Sequence, residues 1–194
     1  MKLIVGLGNP GDNYKDSRHN VGFRLVRALA KDQAAALKRD WGTQALSART
    51  KINGQAALVA IPLTYMNLSG KAVRALVKKY KVALVDLLIV VDDLDLELGR
   101  QKIRPGGSSG GHKGLESVAA SLSTPLFARL RIGIGRPHRG IDSAEYVLMP
   151  FLKKEKEIID GIIDDAVECC RSWVTDGMDK TMEKFNRSII GEKQ

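Results

Sequence analysis

The chain of 194 residues is poor in several residue types, and each shortage excludes something. Its two cysteines, Cys169 and Cys170, are adjacent, so they close no ordinary structural loop and lack the spacing of a metal knuckle; a reducing compartment is expected. Aromatic residues make up only 5%, too few for a platform that stacks the successive bases of a single strand. No apolar stretch reaches the roughly 20 residues of a membrane span. The opening MKLIVGLGNPG meets glycine after an apolar run of about four residues, which is no signal-peptide core. A cytoplasmic protein without membrane contact is expected. The three histidines, His19, His112 and His138, are isolated, and neither H-E-x-x-H nor C-x-x-C occurs, so no metal is expected.

What the chain has in excess is positive charge: 31 Lys and Arg stand against 22 Asp and Glu, for a net charge of +9. A polyanionic partner is the first suspicion. Residues 100–139 carry most of the surplus, with Arg100, Lys102, Arg104, Lys113, Arg129, Arg131, Arg136 and Arg139 opposed only by Glu116. Residues 153–194 hold eight basic and ten acidic side chains and read as a solvated face. The basic run is either an ordinary surface or a phosphate-binding face, and with so few aromatics helical RNA suits it better than a single strand.

Hydrophobic patterning predicts one α/β domain with a mixed sheet. Lys2–Leu7 reads as a buried strand that leaves into Gly-Asn-Pro-Gly. Val21, Leu25, Val26 and Leu29 predict a helix to about Asp32, with Asn20 as its cap. Asn53-Gly54 between apolar runs over 44–61 predicts a type I′ hairpin, whose antiparallel pair rules out a purely parallel sheet. A helix over Ser69–Tyr80, a strand over Leu87–Val91 and a polar edge strand over Arg100–Arg104 follow. A glycine-rich loop over Gly106–Gly114, a helix over 115–122 and a strand over Ala128–Ile134 come next. Helices over 152–175 and 178–190 complete the chain, and the two cysteines are expected to pack inside the first of them.

Three motif matches are weakened on physical grounds. Gly6-Leu7-Gly8-Asn9-Pro10-Gly11 fits the dinucleotide pattern, but Pro10 removes an N–H that a pyrophosphate would use, and Asp32 ends a helix where the ribose-binding acid should end a strand. Gly106-Gly107-Ser108-Ser109-Gly110 mimics a nucleophile elbow, yet no acid and histidine follow in the required order. Residues 107–114 resemble a phosphate loop until His112 replaces the glycine and no Ser or Thr follows Lys113. Two readings remain for His19. It stands near the end of the first strand, and Asp92, Asp93 and Asp95 leave the 87–91 strand at the same rim. Either it is a general base with a carboxylate behind it, or a loop histidine beside an ordinary turn.

Several segments taken together resemble the bacterial-type peptidyl-tRNA hydrolases: VGLGNPG at 5–11, Tyr14 with SRHNVG at 17–22, TYMNLSGKAV at 64–73, DDLDLELG at 92–99, GGHKGL at 110–115 and RLRIGIGRP at 129–137. YVLMPF at 146–151 and the C-terminal helices extend the likeness to nearly the whole chain. The resemblance implies a single domain over 1–194 with a twisted mixed sheet flanked by helices, a monomer that needs no cofactor. It implies cleavage of the ester between a peptide and the terminal ribose of tRNA, which returns tRNA from stalled translation. By the same resemblance His19 takes the proton of the attacking water and Asp92 holds the other imidazole N–H. Asn9 holds the substrate's peptide backbone, and Asn67 positions substrate near the developing oxyanion. Tyr14 and Tyr65 line the tRNA 3′ end, Met66 packs apolar substrate, and Arg104 and Arg131 grip a phosphate.

Two positions depart from the family pattern. Lys113 stands where an asparagine is usual, so a cation without an acceptor replaces a substrate-contacting amide. Val91 stands where a histidine often precedes the Asp. Two rivals follow from other classes. A non-catalytic RNA-binding protein on the same scaffold would be marked by a damaged His, Asp or Asn set, whereas His19, Asp92, Asn9 and Asn67 are all present. A dinucleotide-dependent oxidoreductase would be revealed by stabilisation with NAD or NADP.

Overall fold

Four parallel strands form the centre of the molecule. The computed structural model describes residues 1–186, so the last part of the helix expected over 178–190 lies outside the described residues. The strands β1 (Lys2–Gly6), β2 (Lys38–Asp40), β3 (Ala45–Ile52), β4 (Gln55–Pro62), β5 (Leu87–Asp93), β6 (Gln101–Arg104) and β7 (Ala128–Gly133) form one sheet in the order β2-β3-β4-β1-β5-β7-β6. β4, β1, β5 and β7 run parallel, and β2–β3, β3–β4 and β6–β7 are antiparallel, which is the mixed sheet expected. The hairpin turns on Asn53 and Gly54, both with positive φ (47° and 82°), as a type I′ turn requires. β6 is the expected polar edge strand. β2, the other edge, is three residues of Lys-Arg-Asp and carries no apolar run by which a sequence could announce it.

Alternation of side chains across the pleat divides the core into two layers. Ile4, Val59, Leu88, Val90 and Leu130 face the helices α1 (Val21–Asp32) and α5 (Lys153–Thr175). Leu3, Val5, Leu58, Ile89 and Val91 face α2 (Ser69–Tyr80) and α3 (Lys113–Leu122), which pack on each other. A short helix α4 (Ser143–Leu148), capped by the Asp142 carboxylate and too brief for a periodic signal, and α6 (Met178–Phe185) complete the described elements. Because both faces of β1 and β5 are covered, β1 after Lys2 and β5 up to Val91 are continuously apolar, and polar residues enter only at or past their C-terminal ends.

The glycines of the first turn serve packing. A Cβ on Gly6 would lie 2.0 Å from the Gly22 carbonyl oxygen, and one on Gly22 would lie 2.6 Å from the carbonyl oxygens of Leu7 and Val90. The start of α1 is therefore pressed directly onto the ends of β1 and β5, and the 3-10 turn Arg18–Asn20 is held at the rim. Asn20 is not the side-chain cap that its position suggests, since it makes no such bond to α1; its amide is committed to the first loop. Arg18 is buried beside Tyr146 and Phe151. Its guanidinium donates to the Met149 and Pro150 carbonyls and pairs with Glu155 at 2.6 Å, tying the turn to the segment after α4. Gly22→Ala is expected to cost about 1–3 kcal/mol or more by overpacking, read as a lower denaturant midpoint at unchanged slope.

Cys169 and Cys170 are buried in α5, as expected of packed thiols. Burial pushes the Cys169 thiol up to about 12 and raises Cys170 well above its ordinary value. Thiolate, the reactive form, is then scarce at neutral pH. A thiol-reactive dye at pH 8 should label neither cysteine in the native protein and both after denaturation; rapid native labelling would show that α5 opens.

Candidate active site

The site forms where β1 and β5 end. β5 leaves the core at Asp92 and Asp93, and both carboxylates are buried. His19 Nδ1 lies 2.7 Å from Asp92 Oδ1, and His112 Nε2 lies 3.0 Å from the same oxygen. The tautomers follow from the neighbours. His112 Nδ1 accepts the backbone N–H groups of Gly114 and Leu115 at the start of α3, so it carries no proton, and Nε2–H donates to Asp92. His19 Nδ1 likewise donates to the carboxylate, which leaves Nε2 as the basic nitrogen. Desolvation of the fully buried Asp92 would raise its pKa, but the two imidazoles outweigh it and hold the carboxyl well below the usual carboxylate range.

Asn9 follows β1 and is fixed on three sides. Its backbone N–H donates to Asn20 Oδ1 at 2.7 Å, its carbonyl accepts Asn20 Nδ2 at 3.0 Å, and its side-chain Oδ1 accepts the Met66 N–H at 2.8 Å. That last bond orients the amide, with Nδ2 as the group left to donate into the site. Gly8 and Gly114 permit the approach of these parts. A Cβ on Gly8 would meet Asn20 Oδ1 at 2.6 Å, and one on Gly114 would meet Met66 Sδ at 2.5 Å.

Asn9, His19, Tyr65, Met66, Asn67, Asp92, Lys113 and Arg131 line one cleft of about 730 Å³. Met66 is buried in its wall, Asn67 and Tyr65 are exposed at its mouth, and Val147 and Leu148 of α4 add an apolar side. Lys113 begins α3 two residues earlier than the helix expected over 115–122, and its ammonium pairs with Glu116 at 3.1 Å in the open. Two of the expected residues are not part of this lining. Tyr14 is half-buried in the first loop, where its carbonyl accepts from Ser17 and Asn20, and Arg104 is exposed on β6. Register places Arg104 opposite Arg129 and Lys102 opposite Arg131, so all four lie on one face of the sheet edge. Arg129, however, is buried. It donates to the carbonyls of Gly107, Ser108 and Pro125 and holds the glycine-rich loop, so it is withdrawn from the outward basic face. Arg131 is anchored by Asp93 at 2.7 Å.

His112 has no role legible in the motif GGHKGL; only the fold reveals that a ring 20 positions after Asp92 donates to it. Asn20, expected as a cap, instead fixes Asn9 and Tyr14 beside His19. Ligand-type atoms of His19, Asp92 and His112 lie within 4.8 Å of one another. Both nitrogens already sit at hydrogen-bond distance from one carboxylate oxygen, so the trio is satisfied as a hydrogen-bonded set, and a metal ion would have to displace those bonds.

Residues 3–193 match the family model described as peptidyl-tRNA hydrolase. The chain is 45% identical over 189 residues to a peptidyl-tRNA hydrolase of Desulfitobacterium hafniense, covering 96% of this chain and all of that protein. It is 43% identical over 192 residues to one of Aquifex aeolicus, covering 98% of each. Its fold superposes on the crystal structure of peptidyl-tRNA hydrolase from Acinetobacter baumannii with a TM-score of 0.90 at 38% identity, covering 96% of this chain and 94% of that one. With matches of this extent, the chain belongs to the peptidyl-tRNA hydrolase family.

Proposed function

We infer that this chain, an enzyme that hydrolyses peptidyl-tRNA, activates the attacking water with His19. The supporting observation is the pairing of His19 Nδ1 with the buried Asp92 carboxylate, which leaves Nε2 basic. Nε2 takes a proton as water adds to the ester carbonyl, and Asp92 stabilises the imidazolium without being protonated itself. On collapse the ester C–O bond breaks, and the ribose oxygen leaves with the proton returned from His19. His112 restrains Asp92 from its other side.

Asn9 Nδ2 donates to the peptide carbonyl of the substrate. A free aminoacyl group lacks that acceptor and brings an ammonium instead, which is the basis of discrimination. Asn67 and Lys113 position the acyl end, with Asn67 donating at the developing oxyanion. Tyr65 and Met66 receive the apolar parts of the substrate. Lys102, Arg104 and Arg131 grip phosphate, and Tyr14 lies along the path of the tRNA 3′ end. The reaction uses no cofactor or metal. The chain acts as one domain and as a monomer, in the cytoplasm, on tRNA left from stalled translation. Among the described residues no helix is long and apolar enough to cross a membrane.

His19→Ala is expected to lower kcat by about 10²–10⁴-fold while leaving tRNA affinity unchanged. Release of tRNA from N-acetylated aminoacyl-tRNA measures this, and a near-normal rate would remove His19 as base. Asp92→Asn is expected to lower kcat by about one to four orders of magnitude through the wrong imidazole tautomer. Asn9→Asp, which keeps Oδ1 but loses the donor, should reduce kcat/KM for the N-blocked ester and narrow the preference over the unblocked one; an unchanged ratio would refute the role of Asn9.

In pH terms, Asp92 has a folded-state pKa below that of an unfolded aspartate, about 3.9. Its contribution to stability is therefore complete above that value and is lost only as pH falls below it toward the depressed pKa. Melting temperature should therefore owe nothing to Asp92 titration above about pH 4 and fall as pH drops below it. A pH profile of melting temperature for wild type beside Asp92→Asn checks this.

A further inference from the structure

The basic run at 100–139 is not the most one-sided part of the chain. Residues 38–85 hold Lys38, Arg39, Arg49, Lys51, Lys71, Arg74, Lys78, Lys79 and Lys81 against Asp40 alone. All nine cations are exposed, and among the described residues only Lys79 is ion-paired, with Asp40 at 2.5 Å. Like charges so concentrated repel one another and oppose folding unless a partner neutralises them.

Their arrangement is ordered. Lys71, Arg74 and Lys78 recur at spacings of three and four, so they form a stripe along the solvent face of α2, about 10 Å from end to end. Lys81 follows at the left-handed residue that ends the helix. The stripe starts just after Asn67 and Leu68, at the mouth of the cleft, and runs to the β2–β3 edge. There Lys38, Arg49 and Lys51 lie on the α2 side of the sheet by register with Ser47, Leu58 and Ala56. This end is rigid: the buried Asp40 accepts Tyr80 Oη at 2.6 Å, Ser47 Oγ at 2.8 Å and Lys79 Nζ, and Arg49 stacks over the Tyr80 ring at 5.1 Å. Beyond Asp40, Trp41 is 76% exposed, with Arg39 over its ring at 5.0 Å. Lysines near the end of α2 would offset its dipole, but that accounts for neither Lys71 and Arg74 in its first half nor the cations of β2 and β3.

We propose that the α2 stripe and the β2–β3 edge form a second surface for the backbone of the bound tRNA, at the opposite edge of the sheet from Arg104. Six strand spacings of about 4.8 Å place the two sheet edges roughly 29 Å apart. One short phosphate segment cannot engage both. RNA is favoured over an acidic protein because the cations form an extended, nearly acid-free track joined to an exposed aromatic, whereas apolar anchors of a protein interface are otherwise sparse along it. This inference rests on the peptidyl-tRNA reading, since the track leads out of the same cleft.

The triple variant Lys71→Gln/Arg74→Gln/Lys78→Gln tests it, because glutamine retains helix propensity and none of the three residues lines the cleft. A melting curve matching wild type establishes that the variant folds; if it does not, the exposed pair Arg49→Gln/Lys51→Gln replaces it. Turnover of a trinucleotide CCA ester carrying an N-acetylaminoacyl group should be unchanged. Binding of full-length N-acetylaminoacyl-tRNA at low salt should weaken roughly tenfold or more, with the slope of log affinity against log salt flattened by about two to three. If tRNA binding and its salt slope are unchanged while binding of an unrelated RNA hairpin weakens, the surface belongs to another RNA and the proposal is overturned. Unchanged binding of both RNAs overturns it as well. Failure of the wild type to cleave the trinucleotide ester would instead count against the hydrolytic reading, and the salt slopes would still decide the surface.

Discussion

A buried carboxylate that accepts from two imidazoles is the interaction on which the rest of the site depends. Asp92 is only 4% exposed, and a charge so placed is tolerated because two N–H donors meet one of its oxygens. Each donor in turn requires its own fixed place. His112 can donate because its other nitrogen caps α3, which in turn needs the helix to start at Lys113. His19 can donate because the 3-10 turn before α1 is clamped by Gly22 below and Arg18 beside it. The carboxylate thus joins the end of β5 to the starts of two helices on opposite faces of the sheet.

The same interaction explains why the first loop is so fully hydrogen-bonded. Asn20 uses both ends of its amide on Asn9 and Tyr14, and Asn9 uses its Oδ1 on Met66. These bonds leave one imidazole nitrogen and one amide nitrogen as the groups with unspent capacity, and both belong to cleft-lining residues. A site organised by satisfied polar groups has little reorganisation left to perform when substrate arrives.

Charge is divided by burial as much as by sequence. Arg129 and Arg131 are two residues apart on one strand, yet one braces a loop internally while the other, held by Asp93, faces the cleft. Arg18 is likewise consumed by aromatic rings and carbonyls. A charge count over 100–139 cannot make this distinction, and the exposed cations of α2 and the β2–β3 edge lie outside that stretch.

The sequence by itself determined the parallel core and the hairpin, because continuous apolar runs of strand length and an Asn-Gly turn have few alternative uses. It also offered candidate groups: His19 and the carboxylates at 92, 93 and 95 stand out by their places after strands, while Asp92 in particular, Asn9 and Asn67 are singled out only by the resemblance to the family. β2 and α4 were not legible, being too short and polar to carry a period. Nor was the second imidazole on Asp92, the role of Asn20, the withdrawal of Arg129 or the separation of Tyr14 and Arg104 from the cleft lining. Those were decided only by tertiary structure, because hydrogen-bond partnership and burial depend on distances between segments tens of residues apart, and local patterning carries no record of them.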